Sequence, residues 1–85
     1  MSEGAILLFG RLKDAFGADQ VPLPAGAATV AHLRAGLARQ HPDLAGMITA
    51  PSVRIAVNQE LVLDEAGTPV SPADEIALLP PLSGG

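Results

Sequence analysis

With 85 residues, 48% of them hydrophobic and 16% charged, the chain has the size and composition of one folded domain rather than of a disordered segment. Its formal charge is −4, its five bases (Arg11, Lys13, Arg34, Arg39, Arg54) are spread along the sequence, and Phe9 and Phe16 are its only aromatics; this excludes the concentrated basic face and stacking platform that nucleic-acid binding needs. The absence of cysteine removes disulfides, thiolate nucleophiles and Cys-based metal sites. The longest apolar run, Ala5 to Phe9, is too short to span a membrane, and no basic segment followed by an apolar stretch opens the chain, so a cytoplasmic protein is expected.

Ala5-Ile6-Leu7-Leu8-Phe9 is predicted as a strand buried on both faces or nearly so. Gly10 ends it, and Arg11 to Phe16 is predicted as one or two helical turns closed by Gly17. Asp19 to Pro24 is a second strand, placed at a sheet edge because Pro22 cannot donate to a ladder, with Val21 and Leu23 turned inward. Ala25 to Ala28 is a loop, and Thr29 is the N-cap of a helix running to about His41, with Pro42 beyond it. Val30, Leu33, Leu37 and Ala38 form its apolar stripe, and Arg34 and Arg39 lie off that stripe. Gly36 costs this helix about 1 kcal/mol relative to alanine; close packing on a sheet is one reason to keep it.

Asp43 to Pro51 is a connection with a helical turn around Leu44 to Ile48. Val53, Ile55 and Val57 alternate with Arg54 and Ala56, the pattern of a half-buried strand. Asn58-Gln59-Glu60 is a turn and Leu61-Val62-Leu63 a short return strand. After a polar loop, Asp64 to Thr68, Ser71 to Asp74 turns the chain, with Asp74 bonding nearby backbone N–H groups, and Glu75 to Leu79 is the last strand. Strand, strand, helix, strand, short strand, strand predicts a two-layer α+β domain over residues 1–85, with a sheet covered on one face by the long helix. Its other face then carries outward apolar side chains, for which Phe9, Leu61 and Leu79 are the candidates; such a patch marks a partner surface. The alternative is that loops partly cover both faces.

No conventional active site stands out. His32 and His41 are nine residues apart, unlike a two-His metal motif, and are expected at the surface or helix end; no metal site is expected. Ser52, Ser71 and Ser83 have no evident base partner, and the pairs Asp64-Glu65 and Asp74-Glu75 sit next to turns, where solvated carboxylates are ordinary. There is no phosphate-cradling loop, so ATP chemistry would come from a partner.

The end of the sequence is different. Pro80 and Pro81 lock φ and lack N–H groups, so the last strand cannot continue through them; they favour an extended exit that holds residues 80–85 away from the body as a flexible tail. Gly84 and Gly85 carry no side chain, so a narrow channel in another protein could close around their backbone. The expected product is an arm presenting one α-carboxylate.

Leu7-Leu8-Phe9-Gly10-Arg11-Leu12, Val57-Asn58-Gln59-Glu60-Leu61-Val62, Asp74-Glu75-Ile76-Ala77-Leu78-Leu79-Pro80-Pro81 and Ser83-Gly84-Gly85 together resemble the MoaD/ThiS group of ubiquitin-like sulfur carriers. The Pro-Pro before the tail looks more like its molybdopterin synthase small-subunit branch than its thiamine branch. The resemblance implies a β-grasp fold. It also implies that a ubiquitin-activating-like adenylyltransferase uses Mg-ATP to adenylate the Gly85 carboxylate. A sulfur donor enzyme then displaces AMP to leave a thiocarboxylate, and the large synthase subunit takes in the tail so that this sulfur attacks a pterin precursor. The chain itself binds no cofactor in this scheme. Gly85 is the reactive site, and Gly84, Ser83, Pro81 and Pro80 thread the partner channels. Phe9, Leu61, Leu79 and Leu82 dock, with Lys13 a rim contact. A carrier for thiamine, cysteine or tRNA thiolation, and a ubiquitin-like modifier joined to lysines, share the same tail.

Overall fold

The computed structural model describes residues 4–81. Alternation in the first apolar run produces β1 (Ala5–Leu8), with Ile6 and Leu8 buried and Ala5 and Leu7 half-buried. Phe9 keeps extended backbone and leads into α1 (Gly10–Phe16), which ends at Gly17 with its N–H donated to the Lys13 carbonyl at 2.9 Å. The chain returns as β2 (Gln20–Pro22), antiparallel to β1.

Thr29 caps α2 (Val30–Gln40) as its residue type predicts, its hydroxyl accepting from the His32 N–H at 3.2 Å. A 3₁₀ turn (Pro42–Leu44) and α3 (Ala45–Ile48) occupy the predicted connection. Next come β3 (Arg54–Val57) and β4 (Glu60–Leu61), joined by Asn58 and Gln59 at φ values of 53° and 70°. Two successive positive φ values suit a two-residue hairpin turn; Asn adopts them easily, whereas Gln59 gives no such sign in the sequence. The last strand is β5 (Ile76–Leu79).

Among the described residues, five strands form one mixed sheet in the order β2-β1-β5-β3-β4, with β1 and β5 parallel and the other pairs antiparallel. Pro22 therefore lies on an edge strand, where its missing N–H costs no ladder bond. One core cluster joins Ile6, Leu8, Ile55, Ile76 and Leu78 from the sheet to Leu12, Val30, Leu33, Leu37 and Ile48 from the helices. This is the β-grasp, ubiquitin-like architecture: a mixed sheet grasping one main helix.

Two residues hold the layers in ways their sequence positions do not announce. Gly36 packs on the loop before α2 rather than on the sheet, because a Cβ there would stand 3.0 Å from Pro24 Cβ. Arg34, off the apolar stripe, is the principal polar clamp. Its guanidinium donates to the carbonyls of Ile48 (2.7 Å), Ala50 (3.3 Å) and Val53 (2.8 Å) and pairs with Glu65. One forked side chain thus ties α2 to the segment between α3 and β3 and to the loop before β5.

Candidate functional site: the outer sheet face and the exit of the last strand

Because successive strand residues point to opposite faces, burying Ile6, Leu8, Ile76 and Leu78 turns Leu7, Ala77 and Leu79 outward. Register extends this set across the sheet: Leu7 stands opposite Ala77, Ala77 opposite Ala56, and Ala56 opposite Leu61. Phe9, next in the outward alternation of β1, is 45% exposed, and Leu61 is 53% exposed. Leu63, 87% exposed two residues beyond Leu61, extends the apolar edge; it was not among the sequence candidates. The outward set is unevenly covered: Ala56 is buried, Leu7, Ala77 and Leu79 are half-buried, and Phe9 and Leu61 are exposed.

The structure divides the candidates into two adjoining depressions. Leu61, Leu79, Pro80 and Pro81 line a shallow groove of ≈ 480 Å³ together with Pro51 and Arg54. Arg54 is registered opposite Leu79. Phe9 and Lys13 line a second cleft of ≈ 370 Å³ with Leu7, Gly10 and Asp19. Lys13 Nζ lies 3.1 Å from Asp19 Oδ1, with side-chain exposures of 55% and 81%. A pair so solvated adds little to stability. Leu82, Ser83, Gly84 and Gly85 lie outside the described residues, as does most of the expected tail.

The start of β5 is fixed by a polar network. Asn58 donates its amide to Asp74 Oδ1 at 3.1 Å and accepts from the Glu75 N–H at 3.0 Å. The Ser71 N–H donates to Asp74 Oδ2 at 2.9 Å, the local bond its turn sequence predicts. These donors, the Asn58 amide first, hold the Asp74 carboxyl below its ordinary value because they bond the charged form. His32 is exposed and His41 stacks edge-to-face on Phe16, with ring centroids 4.9 Å apart. Among the described residues no group of three or more His, Asp or Glu side chains is placed to hold a metal ion. Nor is any helix among them long and apolar enough to cross a membrane. Among the described residues, the sequence candidates form a surface and an outgoing strand.

Fold and exit together define a ubiquitin-like β-grasp domain. The chain belongs to the ThiS family, which it matches over residues 6–85. It is 33% identical over 82 residues to the molybdopterin synthase sulfur carrier subunit of Dictyostelium discoideum, covering 94% of this chain and 93% of that protein. Among solved structures it resembles the small archaeal modifier protein 1 of Methanosarcina acetivorans (29% identity, TM-score 0.78), covering 100% of this chain and 98% of that one. It also resembles a chain in the complex of subunits 1 and 2 of molybdopterin-converting factor from Helicobacter pylori 26695 (28% identity, TM-score 0.63), covering 95% and 96%.

Proposed function

We propose that this chain is the sulfur carrier of a molybdopterin synthase, working in the cytoplasm through its terminal glycine. The observation that carries this most is the near full-length match to a protein named as that carrier subunit. The prolines leaving β5 beside an apolar sheet face supply the physical means.

A carboxylate resists nucleophiles because its charge repels them and oxide is a poor leaving group. The Gly85 carboxylate oxygen attacks the α-phosphorus of Mg-ATP held by an adenylyltransferase, and pyrophosphate leaves. Hydrosulfide, released by the sulfur donor enzyme at the sulfide oxidation level, then attacks the acyl carbon, AMP leaves, and loss of the S–H proton gives the thiocarboxylate. This thiocarboxylate enters the large synthase subunit, its sulfur attacks the pterin precursor, and water cleaves the resulting thioester at the Gly85 carbonyl, leaving the sulfur on the pterin and restoring the carboxylate. Phe9, Leu61 and Leu79 dock the body, with Leu82 adding to the contact and Lys13 at the rim. Pro80, Pro81, Ser83 and Gly84 guide the arm. A buried apolar contact dominates such an interface, while rim charge tunes encounter.

The test is carrier-dependent ATP–pyrophosphate exchange by the adenylyltransferase of the same organism. The wild-type chain supports exchange; Gly84→Val and a chain extended by one residue beyond Gly85 do not. Normal exchange by either variant overturns the threading mechanism. The likeness to an archaeal modifier favours one second reading, attachment to lysines through Gly85. Stable high-mass conjugates in cell extract, surviving thiol treatment, would establish it.

A further inference from the structure

β1 and β5 are parallel neighbours, so the chain leaves both at the same end of the sheet. Leaving β1 it enters α1 at Gly10; leaving β5 it enters Pro80. The two departures touch. Gly10 has φ of +57°, and a Cβ built there would stand 3.0 Å from Pro80 Cγ, 3.8 Å from its Cβ and 4.0 Å from its Cδ. Its chain neighbours and its own helix backbone aside, the three nearest atoms such a methyl group would meet all belong to the proline ring.

The two sides of this contact are not equally free to yield. Leu12, two residues into α1, is fully buried in the core, and its N–H bonds the Phe9 carbonyl at 3.1 Å. Pro80 is half-buried at the rim of the groove. A side chain at position 10 therefore displaces Pro80 rather than α1. Because the ring fixes φ, displacing it re-aims the chain that follows.

We propose that Gly10 is a positioning residue: its missing side chain seats the Pro80 ring and so sets the direction in which the C-terminal arm leaves the body. The kinetic consequence rests on the function proposed above; the seating itself does not.

The experiment is a double-substitution cycle of Gly10→Asn and Pro80→Ala in the full chain. Asparagine tolerates positive φ while restoring a Cβ, so backbone strain is kept small. Alanine at position 80 removes the Cγ that a new Cβ would meet. Two readouts are taken: Cα–Hα residual dipolar couplings of Leu79, residue 80 and Pro81 in the free protein, and carrier-dependent pyrophosphate exchange. Gly10→Asn is expected to change the couplings at residues 80 and 81 but not at Leu79. It lowers kcat about tenfold; because position 10 also lines the Phe9–Lys13 cleft, KM for the carrier is read separately, and a rise in KM alone, with kcat and the couplings unchanged, overturns the proposal. In the Pro80→Ala background the same change shifts kcat by less than about twofold, the non-additivity that a direct contact produces. Unchanged couplings in Gly10→Asn, or equal losses in both backgrounds, overturn the proposal. If the wild-type chain supports no exchange, the sulfur-carrier mechanism fails, and the couplings alone decide whether Gly10 seats Pro80.

Discussion

The two faces of β5 differ sharply. Ile76 and Leu78 are fully buried against the helices, whereas Ala77 and Leu79, one residue away on the same strand, remain half-buried on the outer face. On the inner face each apolar side chain is enclosed in a common cluster with α1, α2 and α3, and its removal leaves a cavity. On the outer face the apolar atoms adjoin a groove that runs to the chain exit. A period of two thus gives the same four residues a buried face and an outer face, so stability and the proposed docking role can be separated by substitutions at adjacent positions.

The largest effect is expected from the inner face. Leu78→Ala should lower unfolding free energy by about 3–4 kcal/mol in urea titrations, whereas Leu79→Ala should cost about 1 kcal/mol or less; equal losses would erase the distinction between faces. Arg34→Ala should cost about 3 kcal/mol by the same measurement, because Glu65 loses its partner in a largely enclosed ion pair. Arg34→Lys should not restore it, since one ammonium cannot replace a fork that reaches three carbonyls and a carboxylate.

The outer face should show the converse. Phe9→Asp combined with Leu79→Asp should leave the fold in place by circular dichroism and weaken calorimetric binding to the large subunit by about 100-fold, or about 2.7 kcal/mol. Normal binding by this variant would remove these residues from the docking surface.

Acid should reveal the clamp at the start of β5. The Asp74 carboxyl is held below its ordinary value in the folded state, so its contribution is complete above the unfolded value of about 3.9 and is lost as pH falls through the lower folded value. Asp74→Asn should therefore lower Tm at pH 7, and the gap to wild type should close on acidification through that window; a gap independent of pH would mean that the charge contributes nothing. Lys13→Ala, at the exposed edge, should change large-subunit affinity by about twofold or less at physiological salt.

Much of this molecule is legible locally. The alternation around Ile55, the Thr29 cap, the Asn58 turn and the 3.6-residue stripe of Val30, Leu33 and Leu37 each depend on residues close in sequence, and each element forms where its pattern lies. Pairing order turns the strand pattern into a face, and the face brings Leu61 and Leu79 to one groove. What sequence patterns miss are contacts closed by the tertiary fold. Arg34 reaches partners 14 to 31 residues away. Gly36 meets Pro24, and Gly10 meets Pro80 across nearly the whole chain. A glycine or an off-stripe arginine reads locally as a helix cost or a solvated charge; only the assembled layers give it a partner. Leu63 is missed for a related reason: alternation turns it outward, but its exposure depends on β4 being the edge strand.

The central claim is that the Gly85 carboxylate carries sulfur. Its most direct test is fragment mass spectrometry of the chain after incubation with Mg-ATP, the adenylyltransferase and a sulfur donor, followed by a thiol alkylator. With no cysteine in the sequence, an alkylated side-chain thiol cannot arise, and alkylation also separates thiolation from oxidation of Met1 or Met47. The account predicts an alkylated fragment ending at Gly85. An unmodified C-terminal fragment, with a known carrier thiolated in parallel, would contradict it.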